Sequence, residues 1–126
     1  DLLPEAKKIL NNVASSIDND HWEIEVQGHT DNVPIAKGGF YQTNWHLGAA
    51  RSVSVLQYIQ EKANLKPELF QATSFGEHRP ISTNETPEGR RANRRVEIYL
   101  KDKTIEISKD EDSEAVTFET SFNKID

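Results

Sequence analysis

An α/β two-layer sandwich, with one sheet beneath a layer of helices, is the fold class the sequence predicts. Apolar residues recur every three to four positions after Pro4 and again after Asn44, whereas between Trp22 and Gln27 and between Arg95 and Leu100 they alternate with polar ones. The first period belongs to a helix with one buried face and the second to a strand with one buried face. The elements follow in the order helix, strand, helix, strand, short helix, strand, and the strand–helix–strand unit within it is expected to cross over right-handed. With 126 residues, the chain has enough material for one core but not for two.

The first helix begins at Pro4, whose missing N–H costs nothing in a first turn, and stacks Ala6, Ile9, Leu10, Val13, Ala14 and Ile17 on one face. Asp18, Asn19 and Asp20 supply its stop. In the first strand Trp22, Ile24 and Val26 alternate with Glu23, Glu25 and Gln27, ending at Gly28. From Gly28 to Thr43 there is no periodicity, and Pro34, Gly38 and Gly39 mark a loop long enough to be functional. Asn44 is expected to cap the second helix, whose buried stripe reads Trp45, Ala49, Val53, Leu56 and Ile59. Asn64 and Pro67 end it, and Phe70 to Phe75 form a short strand closing at Gly76. A second loop leads to a brief helical turn at Pro87 to Asn93. The last core strand points Val96, Ile98 and Leu100 one way and Arg95, Glu97 and Tyr99 the other. Residues 1–100 therefore read as the domain and 101–126 as an acidic C-terminal extension. In the latter, Ile105 and Ile107, then Val116 and Phe118, alternate around the segment Asp110 to Glu114. A terminal β-hairpin and a flexible tail are both open readings.

A net charge of −6 and a pI near 5.2 argue against nucleic acid as the partner, since phosphate contacts need clustered Lys and Arg. The absence of cysteine excludes a disulfide scaffold and Cys-ligated zinc while leaving the redox compartment open. There is no run of about 18 apolar residues and no signal-peptide pattern. The chain begins at Asp1 rather than Met and reads as a soluble part of something longer.

Chemistry concentrates in Gly28-His29-Thr30-Asp31-Asn32, which leaves the carboxyl end of a buried strand where α/β ligand sites lie. Arg51 sits two turns into the following helix, on the side of Leu47. Asp31 and Arg51 make either a plain salt bridge or a clamp for a zwitterion, with an ammonium on Asp31 and a carboxylate on the forked guanidinium. First-turn N–H groups after Asn44 would add donors for that carboxylate.

Three segments together, Gly28-His29-Thr30-Asp31-Asn32, Asn44-Trp45-x-Leu47-x-x-x-Arg51 and Gly89-Arg90-Arg91-x-Asn93-Arg94-Arg95-Val96-Glu97, resemble the ordered signature of the OmpA-like peptidoglycan-binding family over roughly Pro4 to Leu100. The resemblance implies a βαβαβ core with an N-terminal helix, no enzymatic activity and no cofactor. It also implies that Asp31 receives the diaminopimelate ammonium and Arg51 its carboxylate, with Thr30, Asn44 and Leu47 lining the pocket. Arg94 stands at the family's Asn-Arg-Arg position, where a salt bridge to Glu97 or a bond to a loop carbonyl is the alternative to a site role. Val33-Pro34-Ile35, the lengthened loop and Phe40-x-x-x-Asn44-Trp45-x-Leu47 resemble the MotB-type flagellar stator branch more than the porin or lipoprotein branches. That branch implies an extracytoplasmic domain on a membrane-anchored parent, an A-type partner subunit met through the parent's transmembrane part, and a homodimer. Alternatives are an OmpA- or Pal-type envelope anchor and a protein-interaction scaffold. Gly48 departs from the family's usual Ser, and close backbone packing is the expected reason.

Enzyme readings are weaker. His21, His29, His46 and His78 lack the one-turn spacing of a helical metal motif, and His29 is expected to be a hydrogen-bonded structural residue. Glycoside hydrolysis commonly needs two carboxylates across one bond. Asp31 has no neighbour of that kind in sequence, although Glu77 or Glu85 could approach in space. Asp110-x-Asp112-x-Glu114 lacks the glycine of a calcium loop.

Overall fold

The computed structural model describes residues 4–17, 22–102 and 113–119. Three helices, α1 (Pro4–Ser16), α2 (Asn44–Ala63) and α3 (Pro87–Asn93), accompany four strands: β1 (Trp22–His29), β2 (Phe70–Gly76), β3 (Arg95–Asp102) and β4 (Ser113–Glu119). This is an α+β fold on a mixed sheet ordered β2-β1-β3-β4. β1 and β2, joined through α2, run parallel, while β1 with β3 and β3 with β4 run antiparallel. The Val116 and Phe118 alternation is thus a strand, and it pairs with β3. Ile105, Ile107 and the acidic run from Asp110 to Asp112 lie outside the described residues, as does the Asp18–Asp20 stop.

The core forms where α1 and α2 meet one face of the sheet. Leu10 and Val13 from α1 and Ile17 just after it, Val55 and Ile59 from α2, Ile24 and Val26 from β1, and Val96 and Ile98 from β3 are all buried in one cluster. Ile9 does not join it. At 39% exposure it lies at the edge of the α1 stripe. The opposite face of the sheet carries a polar ladder in which Lys101, Gln27 and Thr73 all donate to Glu25, and Tyr99 and Arg95 donate to Glu97. Burial pushes the Glu25 and Glu97 carboxyls up, but these donors outweigh it and hold both below the usual range. The same bond to Glu97 pushes Tyr99 up to about 12.

α2 corrects the expected helix phase. Its buried residues are Asn44, Leu47, Gly48, Arg51, Ser52, Val55 and Ile59, whereas Trp45 and Val53 are 50% and 42% exposed. The reason is the backbone. Gly28 and Gly48 face each other so closely that a Cβ on Gly28 would collide with the Gly48 carbonyl, and one on Gly48 with Ser74 Oγ. Ser52 Oγ donates to Val26 O at 2.6 Å and Ser74 Oγ to Trp45 O at 2.7 Å. The first half of α2 is therefore laid on the sheet by glycines and hydroxyls rather than by its largest apolar side chains, and this accounts for Gly48. Its cap is also one residue earlier than expected. Thr43 accepts from His46 N and Asn44 is the first helical residue. Asn64 in the left-handed conformation ends the helix.

Candidate functional site

The site forms at the carboxyl ends of β1 and β2, beneath the first turns of α2. The β1–β2 register shifts between Gly28 and His29, and Thr30 N then donates to Gly76 O at 2.8 Å, so the two strand ends part while remaining tied. Thr30 is buried, and its hydroxyl donates to the Asp31 carbonyl at 2.8 Å. Asp31 is 1% exposed and Arg51 2%. A charge buried this deeply must be compensated.

The structure brings Asp31, Arg51 and Arg94 into one electrostatic cluster. Arg94 Nη1 donates to Asp31 Oδ2 at 2.8 Å, and Val33 N donates to Asp31 Oδ1 at 3.0 Å. Arg51 Nη1 donates to His29 O at 3.4 Å. Burial pushes the Arg51 guanidinium down to about 10, Asp31 opposes that fall, Arg94 adds to it, and Tyr41 from the loop opposes it. Glu97, the salt-bridge partner entertained for Arg94, is instead bonded by Arg95, whose Nη2 also donates to Arg79 O. Leu47 is buried one turn before Arg51 on the same face of α2. Asn44 Nδ2 donates to Val33 O and to Glu77 Oε1, both at 3.2 Å. Of the six residues singled out from sequence, Asp31, Arg51 and Arg94 meet in this cluster, Thr30 adjoins Asp31 in the chain, Asn44 reaches it through Val33, and Leu47 lies one turn from Arg51. Of the helix N-terminal donors, His46 N is bound by Thr43 Oγ1.

His29 departs from expectation. Its ring stacks on Phe75 at 5.3 Å, and neither ring nitrogen has a hydrogen-bond partner among the described residues. Glu97 lies 3.7 Å from Nε2. Burial and the cations Arg95 and Arg79 outweigh Glu97 and hold the imidazole down at about 4, so it is neutral near pH 7. Arg79 covers Phe75 with its guanidinium 4.1 Å from the ring centre. A second stack, Trp45 on His78 at 4.8 Å, ties the β2–α3 loop to the opening of α2.

Glu77 and Tyr41 were not nominated as binding residues from sequence. Glu77 directly follows the strand-ending Gly76, at the carboxyl end of the strand parallel to β1. That position was the available signal. The loop between Asp31 and Asn44 holds a cavity of about 400 Å³ lined by residues 35–41. Among the described residues no group of three or more His, Cys, Asp or Glu could hold a metal ion, and no helix is long and apolar enough to cross a membrane.

A fold of this topology with an Asp, Arg and Arg cluster at its strand ends defines the class. The OmpA family model matches residues 1–94, and the chain belongs to the OmpA family, as a binding domain rather than an enzyme. Within it the chain is similar to Motility protein B of Bacillus subtilis, 40% identical over 98 residues that make up 78% of this chain and 36% of that protein. The peptidoglycan-associated lipoprotein of Pseudomonas aeruginosa is 30% identical over 98 residues, 78% of this chain and 55% of that protein. The crystal structure of the periplasmic domain of Helicobacter pylori MotB superposes with a TM-score of 0.69 at 26% identity, covering 77% of this chain and 62% of that one. The chain spans about a third of the length of the Motility protein B sequences it matches.

Proposed function

We propose that this domain binds the peptide stem of peptidoglycan without cleaving it and, as part of a longer MotB-like protein, anchors a flagellar stator unit to the cell wall outside the cytoplasmic membrane. The observation that carries the reading is the buried cluster of Asp31 with Arg51 and Arg94. Such a cluster is a poor investment in stability, since a hydrocarbon filling of equal volume is often at least as stable. Its value lies in recognising a ligand that carries both signs of charge. The ammonium of a diaminopimelate residue is assigned to Asp31 and its carboxylate to the two guanidinium groups, which present donors in a planar fork. Thr30, Asn44 and Leu47 shape the pocket.

In this reading the A-type stator subunit is met through the parent's membrane part, and a homodimeric parent engages two stems at once, so weak single contacts give firm attachment. Phe40, 84% exposed on the loop, favours a second reading in which the segment from Val33 to Thr43 docks an envelope protein. The two separate on purified, protein-free sacculi. The wild type is expected to sediment with them, and Asp31→Asn and Arg51→Ala to lose at least about tenfold in affinity, roughly 1.4 kcal/mol, while melting as folded domains. Undiminished sedimentation of both variants rejects the pocket. Failure of the wild type to sediment favours the protein-docking reading.

A further inference from the structure

Glu77 has no part in the reading above, yet it is wired into the same site. Its Oε1 accepts from Asn44 Nδ2, the same amide group donates to Val33 O, and Val33 N donates to Asp31 Oδ1. A continuous run of hydrogen bonds therefore leads from Glu77 through Asn44 and Val33 to the Asp31 carboxylate. Asn44 Nδ2 spends its donors on that run. Its Oδ1 is left as a buried acceptor with no hydrogen-bond partner among the described residues, on a side chain only 7% exposed. A buried acceptor of this kind is complete only when something donates to it.

The surroundings decide what that donor is. A helix N-terminus by itself attracts anions, but here Thr43 Oγ1 already takes His46 N, and the groups at Asn44 are an amide oxygen and a carboxylate. Both accept, and neither can hydrogen-bond a second carboxylate. The guanidinium groups belong to the other side of the site, where Arg94 holds Asp31. The opening of α2 therefore presents acceptors where the Arg51 and Arg94 side presents donors.

We infer that Asn44 Oδ1 and Glu77 form a subsite for an N–H donor of the bound stem, and that it takes a carboxamide or a peptide N–H in preference to a free carboxylate. This rests on the peptidoglycan reading and sharpens it, because the free carboxyl groups of wall stems can be converted to carboxamides. A carboxamide differs from the acid at one atom, replacing an anionic acceptor with an N–H₂ donor that Asn44 Oδ1 and Glu77 can receive.

The test titrates the folded domain with two soluble muropeptides whose diaminopimelate is the free acid in both and which differ only at a second stem carboxyl, a carboxamide in one and the free acid in the other, using wild type, Glu77→Gln and Glu77→Lys. Glu77 is on a partly exposed loop, and thermal melts confirm that the variants fold. If the donor is the carboxamide, the wild type prefers the amidated form by about fivefold or more. That preference shrinks in Glu77→Gln and disappears or reverses in Glu77→Lys. If the donor is a peptide N–H, both forms bind the wild type equally and Glu77→Lys weakens both together. A wild-type preference for the free acid, or Glu77→Lys binding both forms as well as the wild type, overturns the subsite. An Asp31→Asn variant titrated alongside reports on the clamp separately, since unchanged binding there condemns the Asp31 assignment and leaves the Glu77 result standing.

Discussion

The two halves of α2 bury chemically opposite sets of residues. Toward its C-terminus, Val55 and Ile59 are inaccessible to solvent and packed in the hydrocarbon cluster with Leu10, Ile24 and Ile98. Toward its N-terminus the buried positions are Asn44, Gly48, Arg51 and Ser52, with Leu47. Burial of the second half follows from the hydrophobic effect. Burial of the first half follows from a close backbone approach at Gly28 and Gly48 and from charges that compensate one another. One half holds the fold together, and the other half is held in place by it.

The largest effect expected from that division is on stability at its apolar end. Ile59→Ala removes a fully buried side chain and should cost about 2–5 kcal/mol in denaturant unfolding, while the fraction that remains folded still sediments with sacculi. Loss of sacculus binding in protein that is demonstrably folded would show that the two halves are not separable.

A smaller effect is expected at the polar end, and it depends on pH. His29, whose carbonyl accepts from Arg51, has its imidazole lowered from 6.5 to about 4 by burial and by Arg95 and Arg79 against the pull of Glu97. Between those two values the unfolded chain binds the proton and the folded chain does not, so stability falls as pH drops from about 6.5 toward 4. The contribution is constant above that window. One such proton gives a slope of no more than about 1.4 kcal/mol per pH unit. His29→Phe keeps a ring against Phe75, breaks no ring hydrogen bond among the described residues, and should flatten that part of the profile. An unchanged slope would place the titrating group elsewhere. Glu25 and Glu97, both held below the usual carboxylate range, contribute their losses at lower pH still.

The same division explains how much could be read in advance. The strands were legible because alternation records burial of the apolar set, and in β1 and β3 Ile24, Val26, Val96, Ile98 and Leu100 are buried, with Glu25, His29 and Arg95 buried beside them. The ends of α2 were legible to within a residue, Asn64 as its stop and Thr43 rather than Asn44 as its cap. Thr and Asn both cap well and stand side by side, so composition alone cannot choose between them. The phase of α2 was misread because a hydrophobicity count follows Trp45 and Val53 and has no measure of a glycine pair meeting across the helix–sheet interface. Asp31 and Arg51 stand in motifs that single them out, and the structure buries both in one electrostatic cluster. The pairing of Asp31 with Arg94, 63 positions apart, and of Asn44 with Glu77, 33 apart, depends on how three strand and helix ends converge, which local pattern does not encode. His29 misled for a related reason. A half-buried imidazole usually finds a hydrogen bond, but here aromatic stacking and nearby guanidinium groups occupy its surroundings.

The smallest effect tests the helix phase itself. Val53 is 42% exposed, whereas Val55, two residues on, is fully buried. Serine and valine have similar helix propensities, so replacing either valine by serine isolates burial from backbone preference. Val53→Ser should change stability by no more than about 0.5 kcal/mol, as exposed positions away from special features do. Had the stripe run through Trp45, Ala49 and Val53, the same change would place a hydroxyl in the core and cost several times more, on the order of 1–3 kcal/mol for the unmet hydrogen bond alone. Denaturant midpoints for the two serine variants, compared at equal m-value, therefore show which face of α2 the sheet covers. Near-equal losses at 53 and 55 would mean that Arg51 is not where the clamp requires it.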